Sequence, residues 1–333
     1  MFRLSQKNVV ALTIVALIAT ACGAASPTEA PTTAPTAAPT TAPTTAPTAM
    51  ASESAVPATE TPAPTTAVVA TIPSDQLTVA GHLLVCSDIP YPPLEYLDAQ
   101  GNPTGSDMEI AAGIAERLGL QLEVVNSVFD TIILAVTSGK CDIIISDQNI
   151  TPDRLQQVDM IPYQQFGQSF AVLAGNPENL TTTTDLCGKK VGAETGTTEV
   201  DYAQGSGAYK GDGLPKVCAD AGKPAAEVKQ FSKDSDAFLA LTAKQVDVYF
   251  ADVPVVAYYV GQQPDQFMVA PIPQIEPIIV GISVPQGKTA VEDAVKTALL
   301  AMMNDGSYLQ ILTKYNVQIG AIQPSDVVIQ KSK

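Results

Sequence analysis

The chain has a single histidine, His82, in 333 residues. It stands at the start of an apolar run, far from the polar motifs, so nucleophilic triads that need an imidazole are excluded. With five cysteines and that lone imidazole, no Cys/His cluster has metal-site spacing, and neither a metal nor a cofactor is expected. Basic residues are scarce: 18 Lys and Arg against 34 Asp and Glu, for a net charge of −16. That surplus of negative charge argues against nucleic acid or an anionic lipid surface as a partner. Long apolar runs are missing as well. The N-terminal apolar stretch Val9–Ile18 falls well short of the roughly 20 residues that span a bilayer, and no later segment qualifies.

What is present begins with a leader. Arg3 and Lys7 precede the apolar stretch, and Ala19-Thr20-Ala21-Cys22 brings small residues up to a cysteine. This order reads as an export signal over residues 1–21. It resembles a bacterial lipobox, with Ala19 where Leu is more usual. The resemblance implies cleavage before Cys22, lipidation of its thiol and anchoring to the outer face of the cell membrane. The alternative is an ordinary secretory signal with an incidental cysteine. Residues 22–75 are rich in Thr, Pro, Ala and Ser, with prolines recurring from Pro27 through Pro31, Pro35, Pro39 and Pro43 to Pro47. No apolar face can form there, so nothing offsets the entropy of ordering, and a disordered, semi-extended tether is expected.

Beyond the tether, strands and helices alternate. Strands are predicted at Leu83–Cys86, Gln121–Val125 and Asp142–Ser146, and helices at Asp107–Leu118 and Thr131–Ser138. A second series predicts strands at Lys190–Ala193, Val228–Phe231, Val246–Phe250 and Ile278–Val284. Its helices are Thr198–Ala203, Asp234–Ala243, Pro254–Val260, Val291–Asn304 and Tyr308–Tyr315. Alternation of this kind predicts an α/β protein with two mostly parallel sheets, two lobes and a cleft between them. Cys187 and Cys218 flank a polar, Gly-rich stretch, and a disulfide between them is predicted in an exported domain. Cys86 lies late in one strand and Cys141 just before another. On adjacent parallel strands they would be several residues out of step, at ~3.3 Å each, and buried thiols are expected.

The most informative stretch is Ser146-Asp147-Gln148-Asn149-Ile150-Thr151-Pro152-Asp153-Arg154. It follows the β-branched run Ile143-Ile144-Ile145. Thr151 is a good N-cap, Pro152 suits the first helical position, and Arg154 falls in the first turn. An Arg beyond the carboxyl end of a strand can clamp a carboxylate with two parallel hydrogen bonds. The competing reading is an Arg in a surface ion pair.

The pieces in order are Ser87–Tyr96 (SDIPYPPLEY), Asp98–Gly119, Leu134–Ser146, Asn149–Arg154 (NITPDR), Asp185–Thr198, Val246–Asp252 and Asp305–Tyr315. Together they resemble the amino-acid-type extracellular solute-binding proteins of ABC importers, which have a type II periplasmic-binding-protein-like fold. The resemblance implies that the chain crosses between lobes twice, with residues 76–166 and 277–333 in lobe one and 167–276 in lobe two. It implies a monomer that captures an amino acid, closes on it and docks on membrane permease subunits, without catalysis. A dehydratase-like enzyme on the same fold, or a sensory ligand-binding protein, is the alternative.

By the same resemblance, Arg154 grips the ligand α-carboxylate, helped from the opposite lobe by Thr197 and Thr198 after Gly196. The local alternative there is a plain Gly turn with an N-cap Thr. Asp252 and Asn149 take the α-ammonium, unless Asp252 is only a helix N-cap before Pro254. Tyr91 and Phe129 are the walls around the ligand side chain. The sequence departs from the family pattern at Leu94 and Ser106, where Phe is more usual, at Asp147, where a small neutral residue is commoner, and at Glu194, often apolar. With Asp88 and Asp252, these carboxylates predict a pocket for a basic or neutral polar amino acid and against an acidic one.

Overall fold

The structure is a computed structural model that describes residues 67–332. The expected signal, Cys22 and the tether up to residue 66 lie outside the described residues. Residues 67–75, read as the end of the tether, lie against the folded body. There the Val69 N–H donates to Arg117 O at 2.9 Å and Ile72 is buried.

In chain order the elements are β1 (His82–Ser87), β2 (Tyr96–Leu97), β3 (Pro103–Thr104), α1 (Ser106–Leu118), β4 (Gln121–Asn126), α2 (Ile132–Thr137), β5 (Ile143–Ile144) and α3 (Pro152–Leu155). A long β6 (Val158–Leu173) follows, then β7 (Lys190–Glu194), α4 (Thr198–Gln204), α5 (Leu214–Asp220), β8 (Glu227–Phe231), α6 (Asp234–Thr242), β9 (Val248–Asp252) and α7 (Val253–Gln262). The chain ends with β10 (Phe267–Val269), β11 (Ile275–Pro285), α8 (Thr289–Asp305) and α9 (Ser307–Lys314).

The main sheet runs β4-β1-β5-β11-β6-β9-β7-β8, with β10 also on β6. β1 is parallel to β4 and β5, and β7 is parallel to β8 and β9. These are the two parallel groups expected from the alternation. They are joined into one hydrogen-bonded path by β6 and β11, which pair antiparallel from Val158 to Gln168 of β6, while the far end of β6 pairs with β9. This is the type II two-lobed arrangement, in which long strands carry the chain from one lobe to the other. The resemblance implies a hinge strand at the crossing after residue 166, but the apolar pattern does not mark β6, because Gln164, Gln165, Gly167 and Gln168 break its run. All but Gln165 and Leu173 of the strand is nevertheless buried, so no alternation shows either.

Helix α1 illustrates how the sequence positions the cleft. Ile110, Ile114 and Leu118 recur on one stripe and are buried, each worth roughly 1.5–3 kcal/mol. Gly119 ends the helix with φ 68, as expected for a left-handed C-cap. Gly105 precedes it with φ 118, and a Cβ there would stand 2.1 Å from Leu94 O. Only glycine permits that approach, and it seats Asp107 so that its N–H donates to Leu94 O at 2.9 Å. Leu94, a departure from the family pattern, is wholly buried.

Cys187 and Cys218 are bridged as predicted, with Cα atoms 5.5 Å apart. Cys86 and Cys141 are also bridged, which corrects the expectation of buried thiols. The register is Cys86 opposite Ile144, so the offset was read correctly. The error lay in extending the strand through Asp142. β5 begins only at Ile143; before it, the chain bends back, with the Asp142 N–H donating to Leu84 O at 2.8 Å. That turn brings Cys141 to 5.7 Å from Cys86, Cα to Cα, inside disulfide reach.

Candidate ligand-binding cleft

The loop after β5 folds as its residues dictate. The Thr151 side chain accepts the Arg154 N–H at 3.3 Å, Pro152 opens α3, and Arg154 sits in the first turn. Its guanidinium is buried and makes no salt bridge among the described residues, so the surface-ion-pair reading fails. Nη1 donates to Asn149 O at 2.8 Å within the loop. Nη2 donates to Gly196 O at 3.1 Å, across on the β7–α4 loop. The guanidinium carbon lies 5.3 Å from the Phe129 ring centroid, a cation–π approach. Burial pulls the Arg154 pKa down, against the opposing pull of Glu199, Asp201, Asp252 and Asp147.

Gly196 has φ +85, and a Cβ on it would meet Asp130 Cα at 3.0 Å. The glycine therefore lets the β7–α4 loop close onto the segment that carries Phe129. Thr197 does cap α4: its hydroxyl accepts the Val200 N–H at 3.4 Å and donates to Glu194 O at 2.7 Å. Thr198 Oγ1 donates to Asn149 Oδ1 at 2.6 Å and accepts from Gln168 Nε2 at 2.7 Å, so it fixes Asn149 across the cleft. Asp252 occupies the N-cap position of α7 but makes no capping bond. It instead accepts the Tyr91 hydroxyl at 2.7 Å, and its N–H donates back to the same oxygen at 3.2 Å.

The sequence-predicted residues converge. Asp88, Tyr91, Phe129, Asp147, Asn149, Thr197 and Asp252 line one cavity, with Arg154 and Thr198 bonded to its walls. Asp147 and Glu194 both face it; Asp147 adopts φ 44, a conformation Asp tolerates better than most residues. The reading missed four participants. Glu95 and Ser146 lay inside quoted segments, Ser146 as the last residue of a predicted strand, and neither was assigned to the site. Glu199 follows Gly196-Thr197-Thr198 in the first turn of α4, where an acid also suits the helix dipole. Lys233, which is paired with Asp88, comes from a loop that carries no motif.

The cavity measures ≈ 10 Å³, barely room for one water, so the cleft is shut down upon its lining. Its chemistry is dominated by carboxyl groups that lack partners. Both oxygens of Asp147 have no hydrogen-bond partner among the described residues, nor do Glu95 Oε2, Glu194 Oε1, Glu199 Oε1 and Asp252 Oδ1. Burial, reinforced by neighbouring carboxylates, drives the pKa values of Glu95, Asp147 and Glu199 well above the usual range. Glu194 is pushed up to about 11 by burial and by the neighbouring Asp88 carboxyl group. Asp252 is raised to about 6, burial outweighing the hydrogen bond it accepts from Tyr91 and the attraction of Arg154. Apart from Arg154 at its wall and Lys233 on Asp88, such a site is lined by acids, and it presents many acceptors to a ligand with several N–H donors.

Comparison with known proteins fits this geometry. The sequence profile of the bacterial extracellular solute-binding proteins, family 3, matches residues 83–318. The chain is 31% identical over 228 residues to ABC transporter arginine-binding protein 1 of Escherichia coli (strain K12), covering 66% of this chain and 85% of that protein. It is 26% identical over 235 residues to the histidine-binding periplasmic protein of Salmonella typhimurium, covering 69% of this chain and 85% of that one. Among solved structures, an ancestral arginine-binding protein bound to arginine matches with a TM-score of 0.62 at 33% identity, over 71% of this chain and 98% of that chain.

Proposed function

The chain belongs to the bacterial extracellular solute-binding proteins of family 3, and from that premise we propose that it captures a basic amino acid in the cleft and delivers it to the permease of an ABC importer. The observation that carries the ligand class is the set of buried carboxyl oxygens without partners. Arg154 and the N–H groups after Gly196 take the α-carboxylate, while Asp252 and Asn149 take the α-ammonium. Tyr91 and Phe129 hold the aliphatic part of the side chain. Asp88, Asp147 and the buried glutamates face its cation. Opening by rotation about β6 and β11 would admit the ligand, with residues 76–166 and 277–333 moving as one lobe against 167–276. The protein is read as a binder without bond chemistry, and turnover of a ligand in the binding assay would contradict that.

The raised carboxyl pKa values give this reading a pH signature. A folded-state pKa above the unfolded one means that the native protein keeps protons the unfolded chain gives up. Ligand-free stability therefore falls as pH rises from about 4 toward the raised values. A bound cation favours the ionised carboxylates and expels those protons. Arginine affinity is therefore expected to climb as pH rises through about 6, the Asp252 value, by up to ~tenfold per proton per pH unit. Calorimetry between pH 5 and 8 in buffers of different ionisation enthalpy reads both affinity and proton release. Tighter binding of glutamate than arginine, or arginine affinity flat across that range, would reject a basic ligand.

The second disulfide supports an oxidising, extracytoplasmic location, since such bridges persist outside the reducing cytosol. With the leader and Thr/Pro-rich tether, we read the mature protein as a lipoprotein held by Cys22. Cys22→Ser is expected to move the protein from the membrane fraction to the soluble one. An unchanged membrane fraction would rule the anchor out.

A further inference from the structure

Among the described residues, Lys233 is the one cation ion-paired to an acid of the cavity wall. It lies between β8 and α6, whereas Asp88 follows β1, so the pair joins elements from opposite ends of the sheet. Lys233 Nζ donates to Asp88 Oδ1 and also to Ile89 O at 3.2 Å. The other Asp88 oxygen accepts the Phe129 N–H at 3.2 Å. Asp88 thus has a donor on each oxygen, while Asp147, Glu194, Glu199 and Asp252 retain oxygens with none. The Lys233 side chain is 27% exposed and that of Asp88 only 5%, so the cation enters from the mouth and the acid waits inside. The cavity beside them, at ≈ 10 Å³, is too small for an amino acid.

We propose that Lys233 is a built-in substitute for the ligand's side-chain cation: it ties the cleft shut through Asp88 until a basic side chain displaces it. This rests on the amino-acid reading above and adds a specificity device to it. Any state in which Lys233 holds Asp88 is not competent for a basic ligand. Apparent affinity is therefore reduced by the fraction of molecules in the competent state. A ligand of the same shape without the distal charge does not compete for Asp88 and gains less from removal of Lys233.

Lys233→Met and Lys233→Gln test this with L-arginine and its neutral isostere L-citrulline, titrated by calorimetry. Scattering of the ligand-free proteins supplies a second, ligand-independent readout. Both variants are expected to tighten arginine on the order of tenfold relative to citrulline and to enlarge the ligand-free radius of gyration. An arginine-to-citrulline ratio unchanged from the parent would overturn the proposal and leave Lys233 a surface ion pair. If the parent binds neither compound, the amino-acid reading has failed instead. The radius of gyration then decides alone whether Lys233 holds the cleft, an unchanged value overturning that role.

Discussion

Arg154→Ala is expected to weaken amino-acid binding by a factor of tens to thousands while the fold remains intact. Truncating one partner of a buried, hydrogen-bonded charge pair costs roughly 2–5 kcal/mol, much of it from the partner charge left without a counter-ion. Here that partner is the ligand carboxylate, carried into a cleft whose other ionisable groups are almost all acids. In the ligand-free protein Arg154 offsets no carboxylate directly; it donates to the carbonyls of Asn149 and Gly196. Its loss therefore takes little from the resting fold and a great deal from the complex. Asp252→Asn is the informative companion. Its carboxyl is raised to about 6, so at neutral pH it costs stability by ionising while buried, and the amide removes that cost. Asp252→Asn should lose amino-acid affinity with no fall in the thermal midpoint. Calorimetry on arginine, with circular dichroism melting as the fold control, reads both variants. Folded proteins that bind like the parent would remove Arg154 and Asp252 from the site.

Parts of this cleft could be read before any coordinates because its residues also obey local rules. Thr151-Pro152 starts a helix by capping and by a preset φ, and that alone puts Arg154 beside the strand end. Gly119 stops α1 for an equally local reason. The parallel strands announce themselves by apolar runs. What stayed hidden depends on long-range pairing. β6 is buried through glutamines that find partners elsewhere: Gln164 Nε2 bonds Asp107 at 2.9 Å and Gln168 Nε2 bonds Thr198 at 2.7 Å. No composition rule marks such a strand. Lys233 was invisible for the same reason, since its role exists only when Asp88, far away in the chain, comes to meet it. Glu95, inside a segment already singled out, and Glu199, directly after one, could have been suspected, but each has an ordinary local explanation.

Replacing Cys86 and Cys141 together by Ala is expected to cost about 4 kcal/mol of stability, from loop-closure entropy over the 55-residue separation. For a folded body of this size that lowers the thermal midpoint by roughly 8–16 °C. The Cys187–Cys218 bridge closes a separation of 31 residues, and in the same model its loss costs only slightly less. The pairs differ in what lies beside them. β1 ends at Ser87, one residue after Cys86, and leads into Asp88, whose N–H donates to Ser146 Oγ at 2.9 Å, and Ser146 donates onward to Glu95 at 2.8 Å. The first bridge thus ties the end of β1, two residues before Asp88, to the segment that enters β5, whose far end leads to Ser146, while the second pins α5 to a loop outside the cavity. Equal losses of stability should therefore come with unequal losses of function. The Cys86/Cys141 variant is expected to lose arginine affinity even at temperatures where it is fully folded, and the Cys187/Cys218 variant to keep it. Urea titration gives the stability of each and calorimetry at 15 °C the affinity. If the two variants bind alike, the bridge beside the cleft serves the fold alone, and the strand ends need no clamp to hold the carboxylates in place.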